Sequence, residues 1–193
     1  MKMKTATGKT FDLADPRAED VCIEDIAAHL AKLCRFNGAC TDFYSVAEHS
    51  VYVSRCVPSG CEIYGLLHDA HEAYTGDLVG PLKAWLRAMR VDAIDFLQER
   101  IQQAIWESCN IDPPSREVLT AVKEADERVL IAERNHLILS PKGEGLYWPD
   151  VPAADIDISS KGIYAPWFSH QHFLSRYFEL TALESERRRE GKA

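Results

Sequence analysis

Gly65-Leu66-Leu67-His68-Asp69-Ala70-His71-Glu72-Ala73-Tyr74-Thr75-Gly76-Asp77 is the stretch around which the rest of the chain can be read. Apolar Leu66 and Leu67 run directly into His68 and Asp69, and Gly76 is a natural C-terminal stop. The segment therefore reads as the end of a helix from about Cys61 to Tyr74. On such a helix His68 and Glu72 stand four apart and share a face, and Asp69 and Glu72 stand three apart. One helix would then offer two ligands and a third acidic group to one pocket. His71 lies beside the doublet but off the Glu72 face, so it is expected to be a surface histidine.

Upstream, Ser45-x-x-Glu48 is a capping box, which starts a helix and pins its first turn. His49 falls on that turn or just after it. Before it, Ile26, Ala27, Leu30 and Leu33 mark a helix from about Ile23 to Cys34, and Asn37-Gly38 marks a loop up to Tyr44. Downstream, Pro81 suits the first turn of a helix running to about Met89. An amphipathic segment follows from Val91 to Ser108, and Pro113-Pro114 breaks it. Ser115 is placed to cap the next helix, whose apolar stripe of Val122, Val129 and Leu130 contains one acidic residue, Asp126. A last helix is expected from about Phe168 to Arg189. Residues 1–21 are polar and read as irregular or a short hairpin, and about 140–167, rich in Gly, Pro and Asp, as an irregular excursion. The expectation is an all-α, compact bundle of about six or seven helices, one domain over 1–193.

The 193 residues are enough for one core, and 46% hydrophobic with 27% charged residues is ordinary for a globular protein. The net charge of −8 offers no basic footprint for a nucleic-acid polymer. No apolar run approaches the roughly 18 residues of a membrane span. The basic start, Met1-Lys2-Met3-Lys4, has no apolar stretch behind it, so a secretory signal is not expected. The six cysteines form no CxxC pair, which argues against a zinc ribbon and fits a reduced, cytoplasmic chain. Cys22, Cys34 and Cys56 fall among apolar positions and are expected to be small core fillers.

His49, His68, Asp69 and Asp126 together make a ligand set for one divalent metal. Two neutral imidazoles and two carboxylates suit a transition ion such as Co, Mn, Zn, Ni or Fe better than Ca. An ion so held can polarise a phosphoryl oxygen and lower the pKa of a water. Asp126 supports the set, because a carboxylate on an apolar stripe needs a partner, and a cation is the best one.

The ordered set also resembles the HD-domain phosphohydrolases. It is carried by Ser45-Val46-Ala47-Glu48-His49-Ser50, by the quoted stretch with Glu72 and Asp77 in place, and by the distant Asp126. Within them it is most similar to the small deoxynucleotidase branch, which includes bacterial 5′-deoxynucleotidases and phage dATP triphosphohydrolases. The resemblance covers roughly Ile23 to His136. It implies that Glu72 orients or activates the attacking water and that Asp77 lies near the scissile phosphate. It also implies that Arg35 holds phosphate and that the ring of Phe36, where the branch carries Trp, packs on the sugar. Lys83 is a further candidate for phosphate. The implied substrate is a small 2′-deoxynucleotide, with dATP triphosphohydrolase activity as the first expectation and 5′-deoxynucleotidase activity on monophosphates as the alternative. A triphosphate substrate could bring Mg with it, and a homo-oligomer is expected. Two rivals remain: a dinuclear HD oxygenase, which needs more histidine ligands, and a non-catalytic nucleotide-sensing HD module. Trp148 and Trp167 are expected to be core or interface anchors.

Overall fold

Ser45 begins the helix on which everything else rests. Its hydroxyl accepts from the Glu48 N–H at 3.2 Å, and the Glu48 carboxylate accepts from the Ser45 N–H at 3.1 Å, closing the capping box. In this computed structural model, which describes residues 1–139, 148–158 and 165–190, the helix that follows is central. A hairpin, β1 (Lys2–Lys4) and β2 (Thr10–Asp12), precedes α1 (Ile23–Leu30). Then come α2 (Val46–Cys56), α3 (Glu62–Leu67), α4 (Glu72–Thr75), α5 (Gly80–Ala88), α6 (Ala93–Ser108), α7 (Arg116–Leu137) and α8 (Pro166–Glu190). The fold is all-α, as expected.

One face of α2 gives Val46, Ala47 and Val51 to a core built with α1, α3, α4, α6 and α8. Another gives Val53, joined by Val57 just past the helix end, to a second cluster with α7, Tyr44, Ala154 and Ile158. Surrounded in this way, α2 buries Glu48, His49, Ser50 and Ser54 as well. The two serine hydroxyls donate back to the carbonyls of Val46 (2.9 Å) and Val51 (2.7 Å), which satisfies them without water. Against α2 lies α3, in close backbone approach. A Cβ on Gly65 would stand 3.0 Å from Ser54 Cα, so only glycine lets the two helices meet there.

Each helix read from the sequence is present, with two corrections. The first ends at Leu30 rather than Cys34: Lys32 bonds three residues back to His29, the Leu33 N–H is shared between the carbonyls of His29 and Leu30, and Cys34 pairs with Ser45 in an isolated bridge. The expected helix Cys61–Tyr74 is divided. Across His68–His71 the backbone closes onto the third residue back, Ala70 N to Leu67 O and Glu72 N to Asp69 O, instead of the fourth. Gly76, at φ 81°, stops α4 as read, and Pro81 opens α5.

The early segment is partly a hairpin, with Thr7 tied by its N–H and hydroxyl to the buried Asp25. Half of the expected excursion over 140–167 lies outside the described residues; 148–158 carries no helix or strand, and Pro166 already begins α8. Cys22, Cys34 and Cys56 are partly buried rather than core, and all six cysteines are free thiols. Trp167 is exposed, whereas Trp148 lies under the Arg134 guanidinium, 5.8 Å from its ring. Among the described residues no helix is long and apolar enough to cross a membrane.

Candidate metal centre

The close contact at Gly65 decides where His68 goes. One turn beyond it the His68 ring meets the His49 ring of α2, centroids 5.2 Å apart. Each ring is fixed by an acceptor on its far side. His68 Nδ1–H donates to the Gly65 carbonyl at 2.8 Å, and His49 Nδ1–H donates to the Glu133 carboxylate at 2.7 Å. Both Nε2 atoms therefore turn inward, 3.3 Å from each other. Asp126 of α7 adds an oxygen 3.1 Å from His49 Nε2, and Asp69 Oδ2 lies 3.1 Å from His68 Nε2 and 3.8 Å from His49 Nε2. Two imidazole lone pairs and two carboxylate oxygens facing one another are repulsive unless a cation stands among them. This donor set fits the transition ion expected from the sequence.

The electrostatics express the same demand. Burial and the Arg35 charge work to lower the pKa of His49, but Glu133 and Asp126 outweigh them and raise it to about 9. Burial works to raise Asp69, and His68 and His49 override it, holding the carboxylate well below its usual range. Asp126 is lowered in spite of burial through its contact with His49. Its side chain is about one third exposed (36%), so the expected buried carboxylate instead sits at the rim.

Glu72 is buried at 2% exposure. Burial, with Asp69 and Asp77 adding, lifts its carboxyl to about 8 although Lys83 opposes them. The Lys83 ammonium donates to Glu72 Oε1 at 3.1 Å, while Oε2 is buried with no hydrogen-bond partner. Asp77 is partly buried and raised, chiefly by burial.

Two sequence expectations are revised by what these side chains touch. Arg35 is buried and donates through Nε (3.1 Å) and Nη2 (2.9 Å) to one oxygen of Glu133, so in this state it is a support for the carboxylate behind His49. Its guanidinium also lies 5.3 Å from the Phe36 ring centroid. Phe36 itself is partly buried and held at φ 55°, a conformation rare for a non-glycine residue. His71, expected on the surface, comes within 4.8 Å of Asp69 and Glu72 in ligand-atom distance, because the tightened turn at His68–His71 rotates it inward. Sequence reasoning also missed Glu133, fully buried on α7. The signal was available: Glu133 is seven residues, two helical turns, beyond Asp126 and shares its face.

No family model matches the chain. It is 37% identical over 129 residues to an uncharacterised protein of Rhodobacter capsulatus, covering 62% of this chain and 64% of that one. It is 34% identical over 184 residues to the uncharacterised protein YfdR of Escherichia coli K12, covering 94% of this chain and 96% of that protein. A likeness at that identity, running nearly end to end through both chains, means that the protein belongs to the same family as YfdR.

Proposed function

We propose that the protein is an HD-type, metal-dependent phosphohydrolase of small 2′-deoxynucleotides. The observation that carries this is the cluster of His49 Nε2, His68 Nε2 and Asp69, ligand atoms within 4.8 Å of one another, with Asp126 against His49 Nε2 and both rings locked from behind. A divalent ion held there supplies Lewis-acid polarisation of a phosphoryl oxygen and a more acidic water. The chain's own residues supply the rest. Glu72, three residues beyond Asp69, takes the proton of the attacking water. Burial is the larger cause of the raised pKa of Glu72, and a cation beside Asp69 would favour its ionisation by offsetting the carboxylate charge that adds to that rise. Lys83, on a flexible stem, exchanges Glu72 for a substrate phosphate and leaves the carboxylate free to accept that proton. Asp77, its pKa raised chiefly by burial, gives a proton to the leaving oxygen. Phe36 packs against the sugar.

Both cations assigned to phosphate, Arg35 and Lys83, are engaged with buried carboxylates. That supports the monophosphate 5′-deoxynucleotidase reading over dATP triphosphohydrolase activity, since a triphosphate needs more free positive charge. The test is a panel of dNMPs and dNTPs with Co, Mn, Zn, Ni, Fe and Mg, identifying products. Deoxynucleoside with inorganic phosphate is the expected product, and deoxynucleoside with triphosphate marks the dATPase form. Binding without turnover by protein carrying one ion per chain would refute the enzyme and leave the nucleotide-sensing module.

A further inference from the structure

The turn at His68–His71 places a second set of ligand atoms beside the first. Asp69, His71 and Glu72 lie within 4.8 Å of one another in ligand-atom distance. Three features prepare this set for a cation. Gln102 fixes the His71 tautomer: its amide NH2 donates to the Leu67 carbonyl at 3.0 Å, so its oxygen is the atom facing His71. That oxygen accepts from the His71 backbone N–H (3.3 Å) and from ring Nδ1–H (3.1 Å), which leaves Nε2 unprotonated. A histidine ligand is held in this way, by an acceptor on its other nitrogen. Glu72 Oε2 is buried with no partner, an expensive arrangement for a carboxylate. Finally, a cation is already drawn to the set: the Lys83 ammonium sits 3.1 Å from the other Glu72 oxygen, with its side chain still about one quarter exposed (24%) and able to swing out.

We propose that Asp69, His71 and Glu72 form a second divalent-cation position that shares Asp69 with the first, and that Lys83 competes with the metal for it. The inference rests on the first ion of the proposed function and adds to it. With a metal bound, Glu72 is a ligand and no longer a proton acceptor, so activity rises with the first ion and falls as the second loads.

The test is Mn2+ stoichiometry after equilibrium dialysis, with electron paramagnetic resonance to detect a carboxylate-bridged, exchange-coupled pair. It uses the full chain and His71→Ala, Glu72→Gln and Lys83→Met variants, each checked for helical content. The wild type should hold one tight ion and take up a second at higher concentration with a coupled signal. Lys83→Met should bind the second about tenfold more tightly, the scale of one charge-assisted contact to a carboxylate. His71→Ala and Glu72→Gln should keep the first ion and lose the second. One ion per chain in folded Lys83→Met at millimolar Mn2+ would overturn the second position and leave the first intact. No ion at all in folded wild type would instead overturn the metal hydrolase reading from which it starts.

Discussion

Glu133→Ala is the perturbation with the largest effect to read from this structure, because one fully buried carboxylate serves two partners. It accepts two bonds from the Arg35 guanidinium and one from His49 Nδ1. Removing it leaves a buried guanidinium without its counter-charge, which costs about 3–5 kcal/mol. In a chain of this size each kcal/mol moves Tm by about 2–4 °C, so calorimetry should show a fall on the order of 10 °C. The second effect is on metal. Without Glu133 the His49 tautomer and ring angle are no longer fixed, and affinity should drop about 10–100-fold in a metal titration. The two effects separate in Arg35→Met/Glu133→Leu, which removes both charges for apolar groups of similar size. It should recover much of the lost Tm, since the unpaired charge is gone, and none of the metal affinity. A Glu133→Ala protein with Tm within a degree or two of wild type and unchanged metal affinity would refute the reasoning. So would a double variant that regains its metal.

Gly65→Ala should cost about 1–3 kcal/mol, since the added methyl meets the α2 backbone 3.0 Å away at Ser54 and neither helix can yield cheaply; a Tm equal to wild type would mean that α2 and α3 are less closely apposed. Metal-free protein should become less stable as pH rises from about 5 to 9. His49 is raised from 6.5 to about 9 and Glu72 from 4.5 to about 8, so both bind protons more tightly folded than unfolded. Their stabilisation is complete below the unfolded values and lost as pH climbs through the folded ones. Saturating metal should flatten that slope, and a metal-free Tm that is flat or rising over this range contradicts it. Phe36→Ala should narrow the kcat/KM ratio of deoxy- to ribonucleotides, which in wild type should be about ten- to a hundredfold if the ring leaves a ribose 2′-hydroxyl unpaired; equal values for both sugars in the wild type would remove the sugar contact.

What could be read from the sequence was what local chemistry dictates. Ser45 and Glu48 cap α2, Ser115 caps α7 by accepting from the Val118 N–H, Gly76 ends α4 and Pro81 starts α5, because each acts within a turn of itself. His49, His68 and Asp69 come together because His68 and Asp69 are adjacent and His49 rides a capped helix, while Asp126, on a helix with an apolar face, reaches His49 Nε2. What escaped depends on packing across the chain. An i, i+4 argument assumes a regular helix through His68–His71, and the tightened turn there invalidates it for His71. Arg35 carries no mark of its partner 98 residues away, and Glu133, although two turns beyond Asp126 on the same face, is masked by a charged run, Glu133-Arg134, that reads as solvated surface.

No residue of α5 is buried, and Leu82, Trp85 and Met89 all stand 40% exposed or more. Little apolar contact therefore resists its detachment, and in amide hydrogen exchange α5 should open as its own unit, at a free energy well below that of global unfolding. Lys83 travels with it. Each such opening lifts the ammonium away from Glu72 while the centre behind it stays assembled on α2, α3 and α7. The breathing of one short helix thus gives the buried carboxylate, beside the swing of the Lys83 side chain itself, a second way to part from its internal cation.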